Sequence, residues 1–160
     1  MGEAKNQVVV LTGAGGRLGN FLAKRLLAEP QITPILLTSD PSKLKIDHES
    51  SSIVHRVVLS DPLSVRKIFE QIHDEQGEID VLINNAGVVN TSYHETSEGI
   101  ENTFAVNHLG YFLFTNLLLH KLKSKNEARI VNVSSAAHSF VKEMQWQDIN
   151  FENNFGHGLR

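Results

Sequence analysis

The sequence predicts an α/β fold: a parallel sheet of about five strands, in the order 3-2-1-4-5, with helices on both faces. Three observations lead there. Short β-branched runs alternate with segments of helical periodicity from residue 7 to residue 133. The first run, Gln7-Val8-Val9-Val10-Leu11, is nearly all apolar, as a strand covered on both faces must be. It stops at a glycine-rich turn, Thr12-Gly13-Ala14-Gly15-Gly16, that leads directly into a helical pattern. With right-handed crossovers, the order 3-2-1-4-5 opens a crevice beside the carboxyl end of strand 1.

Each element has a local cause. Leu18, Phe21, Leu22 and Leu26 fall at helical spacing, with Lys24 and Arg25 turned outward. Pro30 and Pro34 bracket the next loop. Ile35-Leu36-Leu37-Thr38 is then the second strand, ending at Ser39-Asp40-Pro41. The polar segment Pro41 to Ser52 holds at most a short helix, and Ile53 to Leu59 is the third strand. Asp61 reads as an N-cap and Pro62 as a first helical residue; Val65, Ile68, Phe69 and Ile72 form the buried stripe, and Gly77 ends the helix. Ile79 to Ile83 is the fourth strand and runs into Asn84-Asn85-Ala86-Gly87. A helical region from Thr96 to Lys123, kinked near Gly110, precedes a fifth strand at Arg129 to Val133. Residues 134–160 are polar and loop-rich.

Composition bounds the function. At 160 residues, 41% of them hydrophobic and 21% charged, the chain fits a single domain over 1–160 with a real core. A formal charge of -3 supplies no electrostatic reason to expect nucleic acid or an anionic membrane. Without cysteine there is no disulfide framework or thiolate metal site, and the eight histidines lack paired metal spacing, so no metal is expected. The N-terminus has no signal-peptide layout. The most apolar stretch, Leu109 to Leu122, is interrupted by Thr115, Asn116, His120 and Lys121, too short and broken to span a bilayer. A cytoplasmic protein is the expectation. Ser134, Ser135 and His138 lie close together, but no G-x-S-x-G elbow supports a hydrolase.

The strand-turn-helix at Leu11 to Leu27, with glycines at 13, 15, 16 and 19, is the strongest chemical signal. A helix N-terminus offers free N–H groups and positive dipole to a phosphate, and glycines let the backbone approach a pyrophosphate. Asp40, 21 residues beyond Gly19, stands where an acid accepts hydrogen bonds from an adenosine ribose, and it equally suits the start of an Asp-Pro turn. Arg17 could instead meet the 2′-phosphate of NADP. Asp40 makes NAD the preferred cofactor over NADP.

At this point the chain resembles the short-chain dehydrogenase/reductase family. Thr12-Gly13-Ala14-Gly15-Gly16-Arg17-Leu18-Gly19 is similar to its cofactor loop, and Ile83-Asn84-Asn85-Ala86-Gly87 to its signature after the fourth strand. Val106-Asn107-His108-Leu109-Gly110-Tyr111-Phe112 and Arg129-Ile130-Val131-Asn132-Val133-Ser134-Ser135-Ala136-Ala137-His138 match the next two blocks in order, most like the retinol dehydrogenase-like branch. The resemblance implies a Rossmann-like domain that binds NAD or NADP and interconverts a small-molecule alcohol and carbonyl. It implies that Gly13, Gly16 and Gly19 line the pyrophosphate and Asn85-Ala86-Gly87 flank the adenosine side. Ser135 would hydrogen-bond the substrate oxygen, and Asn107 would hold helix geometry and a relay water. A homo-oligomer is left open.

The departures are as informative. Arg17 replaces the middle glycine of that branch's loop, leaving a GxxGxxG spacing, and Val58 stands where many members have an acid near the adenine. The family's chemistry uses a Tyr with a Lys four residues later on one helix face, where the cation favours the phenolate. Here the tyrosines are Tyr93 and Tyr111, followed at that spacing by Ser97 and Thr115. By comparison with the branch, the catalytic Tyr falls beyond Arg160, so a C-terminally incomplete domain, inactive alone, is expected. The alternative is a non-catalytic dinucleotide-binding sensor or interaction module.

Overall fold

The computed structural model describes residues 6–46, 54–75, 77–123, 127–153 and 155. Its sheet has the order β3-β2-β1-β4-β5, as the sequence predicts. β1 (Gln7–Thr12), β2 (Ile32–Thr38), β3 (Val54–Arg56), β4 (Val81–Asn84) and β5 (Arg129–Asn132) are parallel throughout. Four helices accompany them among the described residues: α1 (Arg17–Leu27), α2 (Pro62–Glu75), the single turn α3 (Asn102–Phe104) and α4 (Gly110–Lys123).

Alternation along the strands divides the core in two. Val10, Ile35, Leu37 and Leu82 point to one face, where Val65, Ile68 and Ile72 of α2 and Phe114, Leu118 and Leu122 of α4 cover them. Leu11, Leu36 and Ile83 point to the other, against Ala23, Leu22 and Leu26 of α1. Burying each large apolar side chain stabilises the fold by about 1.5–3 kcal/mol. The Asp61 cap forms as expected: its Oδ1 accepts from the Leu63 N–H at 3.0 Å, and Pro62 opens α2. At the other end of α2, the buried Lys121 of α4 donates through Nζ to the carbonyls of His73 at 3.1 Å and Gly77 at 3.2 Å. An ammonium there complements the negative end of the helix dipole and joins α2 to α4.

Three boundaries differ most from the sequence-based expectation, each for a physical reason. β2 begins at Ile32 and runs through Pro34, which pairs with Val9 of β1. The β3 register starts only at Leu36↔Val54, so Pro34 lies where β1 is the described neighbour and its missing donor is tolerated. β3 ends at Arg56, because Val58 accepts from the Asp61 N–H at 3.0 Å as the chain turns into α2; the expected start at Ile53 lies outside the described residues. The long helix starts at Asn102, not Thr96. Thr96 closes a loop with Ile100, while both Glu101 carboxylate oxygens cap the N–H groups of Thr103 and Phe104 at 2.8 and 2.7 Å. In place of a kink at Gly110, the turn Ala105–Leu109 is widened to π geometry before α4 begins. Residues 134–153 carry two 3-10 turns, Ala136–Phe140 and Trp146–Asp148, within otherwise irregular chain.

Candidate cofactor-binding site

The glycine loop is shaped by backbone contacts that leave no room for side chains. Gly13 has φ +68°, in the region that favours glycine, and a Cβ there would lie 2.5 Å from the Cα of Ala86. At Gly19 a Cβ would sit 2.0 Å from the Gly13 carbonyl oxygen, so α1 packs directly on the loop it follows. Gly16 is the N-cap of α1, and no side chain caps that end. The first N–H groups of the helix therefore face outward with the positive end of the dipole.

Thr12 does not line the cleft; it sets the distance between the walls. Its buried Oγ1 accepts from the N–H groups of Asn85 at 3.0 Å and Ala86 at 3.1 Å, and donates to Ile83 O. The Asn85 carboxamide returns the contact, donating to Thr12 O at 3.0 Å. The Tyr111 hydroxyl donates to Ala86 O from α4. Burial pushes the Tyr111 phenol up to about 12.

Between these walls lies a crevice of about 620 Å³ at the carboxyl ends of β1, β2 and β4. Gly13, Gly15, Gly16, Arg17, Leu18 and Gly19 form one side, and Asn85, Ala86, Gly87 and Val88 the other. Its far end is closed by Thr38 at the end of β2, Ser39 and Lys43 beyond it, and Val57, Val58, Leu59 and Ser60 after β3. The sequence reading singled out the glycine loop and residues 85–87 but missed Lys43, Ser39 and Val88. They carry no local motif, and strand pairing alone brings them to the crevice.

Three further residues read from the sequence stand elsewhere. Asp40 is not in the crevice lining. Its Oδ1 accepts from Ser42 N at 3.1 Å and Ser42 Oγ at 2.6 Å, and its Oδ2 is 3.7 Å from Lys43 Nζ, so it starts the Pro41–Lys43 turn. Hydrogen bonding from Ser42, with Lys43 nearby, holds its carboxyl below the usual value. Asn107 lies in the π turn, and its carboxamide clasps Val88: Oδ1 accepts from Val88 N at 2.9 Å and Nδ2 donates to Val88 O at 2.8 Å. It thus fixes the wall without lining the crevice. Ser135 is exposed, outside the lining that Val133 joins, and its Oγ accepts from Ala137 N at 3.2 Å. His138 Nδ1 meets the Ser135 carbonyl at 2.7 Å, not its hydroxyl, so no Ser-His nucleophile forms.

This crevice has the geometry of a nucleotide site at the point where strand order reverses. A profile of short chain dehydrogenases matches residues 7–147. The chain belongs to the short chain dehydrogenase family. Within it, the similarity is to the retinol dehydrogenase-like branch. Human retinol dehydrogenase 12 (Homo sapiens) is 37% identical over 164 residues, covering 98% of this chain and 52% of that protein. Mouse retinol dehydrogenase 14 (Mus musculus) is 44% identical over 103 residues, covering 64% of this chain and 30% of that protein. This short-chain dehydrogenase chain spans about half the length of the retinol dehydrogenases it matches from end to end. Solved structures share the fold. A metagenomic short-chain oxidoreductase in complex with NADP superposes with TM-score 0.68 at 24% identity, covering 83% of this chain and 64% of that one. A short chain dehydrogenase from Leptospira borgpetersenii with bound NAD+ gives TM-score 0.64 at 22% identity, covering 88% and 56%. Among the described residues no helix is long and apolar enough to cross a membrane, and no group of three or more acidic or histidine side chains is placed to hold a metal.

Proposed function

We propose that this chain is the cofactor-binding portion of an NAD(P)-dependent oxidoreductase that interconverts a small alcohol and a carbonyl compound. One observation carries the reading: the crevice brings an uncapped helix N-terminus, the backbone of Gly13 to Gly19 and the Asn85–Gly87 segment together around a space of dinucleotide proportions. Bound there, a nicotinamide cofactor would supply the hydride chemistry. The chain's own residues would bind and orient it. Residues 16–19 would hold the pyrophosphate, Lys43, Ser39 and Val58 would surround the adenosine end, and Asn107 would keep Val88 and the wall beside it in place. The preference for NAD rested on Asp40, whose carboxylate is held by Ser42 and Lys43 outside the lining, while Lys43 and Arg17 present cations to the crevice. Either cofactor is therefore compatible with the site, and parallel titrations with NAD and NADP decide between them.

The chain's tyrosines are unsuited to proton transfer at neutral pH. Tyr93 donates to Glu95 Oε1 at 2.7 Å, and that carboxylate pushes the phenol up to about 12. Tyr111 donates to Ala86 O and is likewise held near 12, by burial. We therefore expect the purified 160-residue chain to bind dinucleotide and turn over neither alcohols nor carbonyls. Calorimetric titration with NAD and NADP, together with absorbance assays at the nicotinamide band, checks both halves. Absence of binding would defeat the cofactor reading, and measurable turnover would defeat the inactivity. Because both phenols are committed elsewhere, a non-catalytic dinucleotide sensor or interaction module is the second reading. It requires the same binding and a stop codon directly after Arg160, whereas a frame continuing into Tyr-x-x-x-Lys supports the oxidoreductase reading.

A further inference from the structure

Asn20 stands in the first turns of α1 and does not line the crevice. Its carboxamide nevertheless ties together two segments that do. Nδ2 donates to Gly15 O at 2.9 Å, Gly16 O at 3.0 Å and Lys43 O at 3.0 Å, and Oδ1 accepts from Lys45 N at 2.6 Å. Two N–H groups serve three carbonyls, and the lone acceptor meets the amide; the reversed amide would set its oxygen against those carbonyls. A helical Asn acting only within its own helix would bond the residue four positions back, here Gly16. The other three bonds leave the helix. Two of them reach the turn after β2, more than 20 residues away in sequence. The end of β2 and that turn press on the glycine loop so closely that a Cβ at Gly15 would lie 2.6 Å from Thr38 Oγ1 and 3.4 Å from Lys43 Cβ.

We propose that Asn20 is a positioning residue for the adenosine half of the crevice. By clasping the carbonyls of Gly15 and Gly16 on one side and the backbone of Lys43 and Lys45 on the other, it fixes the gap between the phosphate loop and the end of β2. An adenosine ribose lies at that gap in a site of this topology. Holding the gap open at the right width before the ligand arrives lowers the ordering cost of binding. The turn itself is short, exposed and hydrogen-bonded mainly by Asp40 to its own neighbours; Leu44 and Ile46 beyond it pack against the α1 side of the core, but among the described residues no other α1 side chain hydrogen-bonds the backbone of this segment. The proposal rests on the cofactor reading above.

The test is a set of calorimetric titrations on the parent chain, Asn20→Asp and Asn20→Ala. The probes are NAD, NADP, adenosine monophosphate and nicotinamide mononucleotide, and each protein's melting temperature is recorded. Asn20→Asp keeps the size of the side chain and its acceptor for Lys45, but turns an oxygen toward three carbonyls; Asn20→Ala removes all four bonds without adding charge. Both variants should bind NAD, NADP and adenosine monophosphate about tenfold more weakly, with nicotinamide mononucleotide changed by about twofold or less. Melting temperatures should stay within a few degrees. Equal losses for the adenosine and nicotinamide probes, unchanged affinities, or losses that merely follow the melting temperature in both variants would overturn the positioning role. If the parent binds none of the four probes, the cofactor reading falls and the positioning role falls with it. If the parent binds and the variants match it, only the positioning role falls.

Discussion

The glycine-loop half of the sheet and the β5 edge are built from the same apolar residue types, yet they stand in opposite environments. Val10, Leu11, Leu36 and Leu37 are completely shielded between α1 on one face and α2 with α4 on the other. Ile130 and Val131 of β5 are 40% and 45% exposed, and Val133 just beyond is 39% exposed. The polar groups differ in the same way. Thr12, Asn85 and Asn20 bond across long stretches of chain, whereas Ser135, His138 and Ser139 bond within three residues of themselves. Asn84 marks the seam. It reaches Thr115 Oγ1 and, across to β5, Asn132 Oδ1, while its own Oδ1 is buried with no partner among the described residues. The comparison teaches that stability and nucleotide-site geometry reside in the first half. Ser135, which the family resemblance implies would meet the substrate oxygen, sits in the half that the described structure leaves least supported.

The sharpest way to break this comparison is to truncate one large apolar residue on each side, buried in one case and exposed in the other. Phe114→Ala, in the α4 layer with no exposed surface, should cost about 4 kcal/mol in a urea melt. Ile130→Ala should cost less than about 1 kcal/mol, since much of its surface is already in water. Equal losses would mean that the β5 edge is covered in solution. Gly19→Ala comes next. The added methyl cannot be accommodated beside Gly13 O without moving backbone, so about 2–3 kcal/mol should be lost together with dinucleotide binding. Retained binding would remove the close packing of α1 from the account of the site.

A smaller effect is expected at Tyr111. Replacing it by Phe removes one donor to Ala86 O, worth about 1 kcal/mol at neutral pH. The phenol's folded-state pKa is raised, so its contribution is complete below the ordinary value of 10.0 and is lost as pH rises toward about 12. The parent's melting temperature should therefore fall more steeply than that of Tyr111→Phe across that alkaline window; parallel curves would deny the burial. The smallest change is Val131→Thr. It should move stability by about 0.5 kcal/mol or less while reducing concentration-dependent self-association in sedimentation runs, because an open apolar edge strand invites pairing. Unaltered association would show that this edge is not the adhesive one.

Much of the fold was readable because its signals are local. The apolar run at β1, Asp61-Pro62 at the start of α2 and the glycine loop each fix their element from within a few residues. Given five strands with helical connections, handedness and crevice chemistry were enough to set the order. Pro34 misled because its tolerance depends on where β3 pairs, a fact of three-dimensional neighbours. The helix start expected at Thr96 falls instead at Asn102, because the buried Glu101 carboxylate decides the cap. In the site, the glycines and Asn85 to Gly87 were legible for the same local reason. Lys43 and the ties made by Asn20 and Asn107 were not, because each depends on a partner brought near only by folding. Asp40 illustrates the limit: spacing allowed a ribose contact or a turn, and Ser42, two residues away, holds its carboxylate in the turn.

Lys121 has a consequence for how the molecule would react with chemistry applied from outside. The residue is only 5% exposed, and its amine is held against the carbonyls of His73 in α2 and Gly77 just beyond it, whereas Lys43 lies at the open mouth of the crevice with most of its side chain in water. An acylating reagent should therefore modify Lys43 at once, and Lys121 only when α2 and α4 come apart. The labelling rate at Lys121, read by mass spectrometry, then becomes an internal clock for the opening of that helix pair. The same digest, compared with and without NAD, reads at Lys43 whether the crevice has been filled.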